Sequence, residues 1–157
     1  MFHVVLYEPE IPPNTGNVIR LCANMGASLH LIRPLGFDLD DRKLRRAGLD
    51  YREWASMQVH DDLRAGLDAI KPAGLYALST KGRRCYAEAT FRPGDALLFG
   101  PESRGLPDHV RAWLGEGALL NVPMVRESRS LNLANTVALV MYEAWRQNGF
   151  AGAATTA

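Results

Sequence analysis

The sequence predicts an α/β fold, a mostly parallel sheet with flanking helices. Short apolar runs alternate along the chain with stretches whose apolar residues recur every three or four positions, the pattern of strands alternating with helices. The first run, Phe2 to Tyr7, is largely apolar, as expected of a strand covered on both faces. A chain of 157 residues, 47% hydrophobic and 22% charged, has the size and composition of one domain with its own core. Residues 1–150 are read as that domain and 151–157 (Ala-Gly-Ala-Ala-Thr-Thr-Ala) as a disordered tail.

The first strand is Phe2 to Tyr7. Glu8-Pro9-Glu10-Ile11-Pro12-Pro13 reads as a rigid loop, because each proline fixes φ and removes a donor. Asn14 reads as the N-cap of a helix whose inner face is Val18, Ile19, Cys22 and Met25 and whose end is Gly26. Leu29 to Ile32 is a second strand, halted by Arg33-Pro34. Helices are expected over Asp41 to Ala47 and Asp61 to Ile70, and a strand over Leu75 to Leu78. Ala96 to Phe99 and Ala118 to Val122 are further strands, separated by a helix from Pro107 to Leu114, with Pro107 in its first turn. Leu131, Ala134, Val137, Ala138, Met141, Tyr142 and Trp145 mark the face of a last helix ended by Gly149, with Ser130 as its cap.

Polar segments adjoin these apolar runs: Asn14-Thr15-Gly16-Asn17 with Arg20, Phe99 to Pro107, and Val122-Pro123-Met124 leading to Ser130–Asn135. Ligands of open α/β sheets bind in loops at the carboxyl ends of strands, so two Gly- and Pro-rich strand exits read as walls of one pocket. Gly100 and Gly105 let backbone approach a ligand closely, as recognition of a purine and ribose requires. Neither a Walker A sequence nor a GxGxxG fingerprint is present, which disfavours a phosphate-rich nucleotide and a nicotinamide enzyme. Ser103, in G-P-E-S-R-G, misses the GxSxG elbow, so a serine hydrolase is not expected. Asn132 and Asn135 are poor helix formers at the start of an apolar helix, which points to hydrogen bonds outside that helix or to a buried polar network.

Cys22 and Cys85 form no CxxC pair and no two histidines have ligand spacing, so no metal site is expected. His3 and His30 read as core or strand-end residues, His60 and His109 as loop or surface. With no apolar run near the ~18 residues of a membrane span and no secretory leader pattern, a cytoplasmic protein is the expectation. The net charge of +1 discriminates little. Local basic clusters exist at Arg42-Lys43 with Arg45-Arg46, Lys81 with Arg83-Arg84, and Arg126 with Arg129, where nucleic acid could bind.

Taken together, L-Y-E-P-E-I-P-P-N-T-G-N, R-L-C-A-N, D-D-R-K-L-R-R-A-G-L-D-Y, F-G-P-E-S-R-G-L-P and S-R-S-L-N-L-A-N resemble the SPOUT class of S-adenosylmethionine-dependent RNA methyltransferases. Within it the chain is similar, from Val4 to about Phe150, to the minimal bacterial tRNA 2′-O-methyltransferases of the wobble position. The resemblance implies a C-terminal deep trefoil knot, which general topology alone would make improbable. It implies S-adenosylmethionine held by Leu78, Gly100, Val122 and Ser130, with Glu102, Met124 and Leu131 as further contacts. It makes Arg20 the central catalytic residue, acting in its own site or across a homodimer, with Ser130 and Asn132 orienting a ribose hydroxyl. A guanidinium rarely loses its proton, so Arg20 is read as a clamp on phosphate and developing oxyanion. Arg129 and Tyr142 are the implied contacts to the RNA, an anticodon stem-loop of leucine tRNA bearing cytidine or modified uridine at position 34. Methylation of another tRNA position or of ribosomal RNA, and a non-catalytic RNA-binding module, are the competing readings.

Overall fold

The computed structural model describes residues 1–40, 42–46 and 48–154. Its centre is a seven-stranded, all-parallel sheet. The strands are β1 (His3–Tyr7), β2 (Ser28–Ile32), β3 (Met57–His60), β4 (Leu75–Leu78), β5 (Arg84–Cys85), β6 (Ala96–Phe99) and β7 (Leu119–Asn121). Their spatial order is β3-β2-β1-β6-β4-β7-β5. Strands β4 and β6 are purely apolar runs of the sequence, and β1 and β2 are largely so. The two edges, β3 and β5, escaped the pattern because Met-Gln-Val-His is half-polar and β5 is only two residues long.

The helices are α1 (Pro12–Met25), α2 (Arg42–Arg45), α3 (Tyr51–Ala55), α4 (Leu63–Ile70), α5 (Asp108–Leu114) and α6 (Leu133–Gln147). One face of the sheet carries Val18, Ile19 and Cys22 of α1 with Val137, Val140, Met141 and Ala144 of α6. The other carries Leu63 and Ile70 of α4 and Val110 and Leu114 of α5 against Val5, Ile32 and Leu98. Burial pushes the Cys22 thiol up to about 12, so this cysteine is a core side chain and not a nucleophile. The expected ends of the helix over 41–47, Asp41 and Ala47, lie outside the described residues, as do 155–157 of the expected tail. Residues before these turn back on α6, where Trp145 Nε1 donates to Ala151 O at 3.0 Å.

Two helix starts differ from the sequence reading. Helix α1 begins at Pro12 rather than after Asn14, with Ile11 as an N-cap that makes no side-chain bond. The prolines at the first two positions have no N–H to cap, so the polar cap that Asn14 was expected to supply is unnecessary. Helix α6 begins one turn's fraction later than expected, with Asn132 rather than Ser130 as its cap, Oδ1 accepting from Asn135 N at 3.2 Å.

Strand β7 lies between β4 and β5, which are consecutive in the chain, so the loop joining those two wraps β7. Ser79 N donates to Leu120 O at 2.9 Å, and Asn121 Nδ2 to Gly82 O at 2.6 Å. A Cβ at Gly82 would stand 2.7 Å from Leu120 C and 2.8 Å from its O, backbone atoms that cannot rotate away. On the α4 side of the sheet, His3, His30 and His60 form a ladder across β1, β2 and β3. Ring centroids are 5.5 and 5.2 Å apart, and His30 Nδ1 lies 2.9 Å from His60 Nε2. His60, expected in a loop or at the surface, is half-buried on β3; His109 is exposed on α5. Among the described residues no group of three His, Cys, Asp or Glu side chains could hold a metal ion.

Replacing Gly82 by alanine is expected to lower stability by about 2 kcal/mol, the usual cost of overpacking, read as a lower melting temperature. The buried His30 is held neutral down to about 4 from the ordinary 6.5, by burial and then by the charges of His60 and His3. Because the unfolded chain takes up this proton first, stability is full above about pH 6.5 and falls as pH drops toward 4. The loss is at most about 3 kcal/mol. Urea unfolding across this window should show that slope in the wild type and a flatter one in His30→Leu.

Candidate active site

A cavity of about 520 Å³ opens at the carboxyl ends of β4, β6 and β7. Strand β4 delivers Leu78 and the following Ser79 to Lys81, β6 delivers Phe99 and Gly100, and the exit of β7 delivers Val122 and Met124. The floor comes from Ser130, Leu131 and Asn132, just before α6, and a side wall from Ile11 and Asn14 at the start of α1. The three strand exits are neighbours only because β7 sits beside β4, and β6 on its other side. This is the position at which parallel sheets bind ligands.

The β6–α5 loop, residues 100–106, folds tightly on itself. A Cβ at Gly100 would meet Leu106 N at 2.5 Å, so glycine is required for the loop to close. Its polar side chains reach across to the segment before α1. Glu102 accepts from Glu10 N at 2.7 Å and Ile11 N at 3.3 Å. Glu10 in turn accepts from Ser103 N at 3.0 Å and Ser103 Oγ at 2.8 Å, and Arg104 pairs with Glu8. The Ser103 donors hold the Glu10 carboxyl below its ordinary value, and the Glu8 carboxylate raises the Arg104 guanidinium.

Opposite, Asn14 and Asn132 meet. Asn132 Nδ2 donates to Asn14 Oδ1 at 3.0 Å while its own Oδ1 caps α6, so both ends of its amide are fixed. Asn14 is buried although polar. The bond joins residues 118 apart in the chain and locks the starts of α1 and α6 together at the cavity.

All seven residues expected to contact a cofactor, Leu78, Gly100, Glu102, Val122, Met124, Ser130 and Leu131, line this cavity, and Asn132 lines it with them. The Glu102 carboxylate, however, is engaged by two backbone donors of the α1 approach. Arg20 is not in the lining. It lies further along α1, its Nε 3.4 Å from Glu53 and its Nη2 donating to Gly48 O at 2.9 Å. Arg129 is exposed in the segment between β7 and α6, outside the lining; Tyr142 is exposed on α6, its ring edge-on to Trp145. The sequence reading placed Lys81 in a basic cluster but assigned neither it nor Arg104 and Arg111 to the pocket, where they bring cations to the walls. Their signal was present in Ser-Thr-Lys-Gly after β4 and in the quoted G-P-E-S-R-G, but nothing local says which way a side chain turns.

The cavity can seat a compact ligand against backbone and apolar side chains, with asparagine amides and cations at its rim. Among the described residues its lining holds no paired carboxylates and no histidine or cysteine to build a nucleophile–base couple for hydrolysis.

The pattern of the SpoU rRNA Methylase family matches residues 1–142. The chain is 54% identical over 153 residues to the tRNA (cytidine(34)-2′-O)-methyltransferase of Escherichia coli (strain K12), covering 98% of each. A solved structure described as giving structural insights into the 2-OH methylation of C/U34 on tRNA has a TM-score of 0.87 and 51% identity. That match covers 95% of this chain and 97% of the other. The SpoU methyltransferase AviRb from Streptomyces viridochromogenes, in complex with the cofactor AdoMet, has a TM-score of 0.82 at 25% identity, over 93% of this chain and 60% of AviRb. The family pattern spans the elements that build every wall of the cavity, and the chain therefore belongs to the SpoU rRNA methylase family and carries the fold of the SPOUT methyltransferases.

Proposed function

We propose that this protein transfers a methyl group from S-adenosylmethionine to the ribose 2′-hydroxyl of nucleotide 34, cytidine or modified uridine, in leucine tRNA anticodon loops. The observation that carries the reading is the cavity at the three strand exits, lined by every residue expected to hold the cofactor. The family description names ribosomal RNA, but identity above half along the whole chain is to relatives named for position 34 of tRNA, and this favours tRNA. A cytoplasmic location fits such a substrate. No helix among the described residues is long and apolar enough to cross a membrane.

The residues present fit the cofactor. Strand-exit backbone at Leu78, Gly100 and Val122 suits an adenine, the apolar Met124 and Leu131 suit its flanks, and Ser130 adds a hydroxyl. When bound, S-adenosylmethionine supplies a sulfonium-activated, electrophilic methyl group. The chain's own task is then to place the ribose hydroxyl and favour its proton loss, and alignment alone can contribute several kcal/mol. Asn132, immobilised by Asn14 and by its capping bond, is suited to orient that hydroxyl together with Ser130. Arg20, held by Glu53 and Gly48 away from its own cavity, is assigned to the site of a second copy, where it clamps phosphate and developing oxyanion.

A homodimer fits this assignment. Val125 (81% exposed), Met124, Leu131, Leu139 and Tyr142 form exposed apolar surface around the cavity mouth and along α6, surface of the kind that marks interfaces. Arg129 and Tyr142 are assigned to the RNA, by phosphate pairing and by stacking or hydrogen bonding with a splayed base. A C-terminal deep trefoil knot is the reading of the topology, supported by the wrapping of loop 79–83 around β7.

The deciding experiment incubates purified protein with labelled S-adenosylmethionine and total tRNA from a strain lacking this gene, then maps the labelled nucleoside. Label in 2′-O-methylcytidine or 2′-O-methyluridine at position 34 is expected; label confined to other positions or to ribosomal RNA overturns the substrate assignment. Arg20→Ala should lower turnover about a hundredfold while cofactor affinity stays unchanged, and Arg20→Lys should rescue little because lysine lacks the planar fork. Near-normal turnover in Arg20→Lys would rule out the bidentate clamp.

A further inference from the structure

Residues 8–11 and 102–104 are joined by reciprocal carboxylate bonds. Glu102, on the cavity loop, accepts two backbone N–H groups of the α1 approach, and Glu10, on that approach, accepts the backbone N–H and hydroxyl of Ser103 on the loop. The Glu10 carboxylate shares the Ser103 hydroxyl between both its oxygens, each at 2.8 Å. The segment so held continues directly into the helix that brings Ile11 and Asn14 to the cavity and carries Arg20. Loop 100–106 is the wall on the other side. Prolines occupy the first two positions of α1 and offer no N–H, so of these bonds only the one from Ile11 N, the N-cap residue, satisfies a donor of the helix start. Their effect is to fix one wall of the cavity against the helix that faces substrate.

We propose that Glu10 and Ser103 are positioning residues that couple the cofactor wall, residues 100–106, to the start of α1, so that cofactor affinity and alignment of the methyl acceptor are set together. The proposal rests on the reading of the cavity as the S-adenosylmethionine site. Neither side chain needs to touch the cofactor: Glu10 is outside the lining, and Ser103 is turned toward Glu10. A hydrogen bond to a charged group is among the stronger kinds, and here one carboxylate receives two donors from one residue. Freed of them, the loop keeps its Gly100 closure and the Glu102 and Arg104 ties but is held less tightly on the approach to α1.

The test titrates S-adenosylmethionine calorimetrically into the full-length wild type, Glu10→Ala, Ser103→Ala and the double variant, below every melting transition. Tenfold weaker binding is about the expected change in each single variant. The double variant should be no weaker than Glu10→Ala, because the hydroxyl bonds that Ser103→Ala removes are among those that Glu10→Ala removes. Ser103→Thr, which keeps the hydroxyl and the N–H, should restore affinity. In tRNA methylation the single variants should raise KM for the cofactor and also lower kcat at saturating cofactor, a joint change that mere loss of stability would not produce. Wild-type affinity and kcat in Ser103→Ala would overturn the proposal even if Glu10→Ala failed to fold. A wild type that bound no S-adenosylmethionine would instead sink the cofactor reading, and this proposal with it.

Discussion

Strand β7 fills the slot between β4 and β5, and the loop that joins those two strands closes over it, Ser79 N donating to Leu120 O and the Asn121 side-chain amide to Gly82 O. The placement decides where the cavity is. It sets the exit of β7 beside the exits of β4 and β6, so that chain segments far apart in sequence line one recess. The approach is close enough that only glycine fits at position 82, and backbone, not side chains, sets the spacing. A site built this way is stiff, because moving one wall means moving a central strand of the sheet.

The second constraint lies around the recess. Helices α1 and α6 share the core on one face of the sheet, and the Asn14–Asn132 bond ties their starts together where that core meets the cavity. The end of α6 is tied as well: Gln147 exchanges bonds with Phe91 N and Ala89 O, both at 2.9 Å, and Asn148 donates to Phe91 O. The helix is thus anchored at both ends while its outer residues, Leu139 and Tyr142, stay exposed. Such an element keeps a fixed outer surface and still holds a polar amide in place at its cap, Asn132.

Much of the site was legible in the sequence, for a local reason. Glycine and proline after apolar runs mark strand exits, and strand exits in parallel sheets are where ligands bind, so the exits at Gly100 and Val122 read as walls of one pocket, while Leu78 and Ser130 joined them only through the resemblance to SPOUT methyltransferases. Arg20 shows the limit. Its place on α1 was readable, yet its bonds to Glu53 and Gly48 depend on how α3 and the preceding loop pack on that helix. Glu102 shows another: its carboxylate was expected to face a ligand and is instead held by backbone 92 residues away.

The chain by itself determined the central strands, the approximate helices and the polar segments between them, because periodicity, Pro and Gly act over a few residues. Tertiary structure alone decided the rest. It placed the half-polar β3, drew three histidines with no ligand spacing into one ladder, and let Pro12 and Asn132 rather than Asn14 and Ser130 begin their helices. It also paired Glu10 with Ser103 and Glu102 with the α1 approach. Each of these outcomes depends on which strands become neighbours, and strand order is fixed by burial over the whole sheet, a quantity that no short stretch of sequence contains.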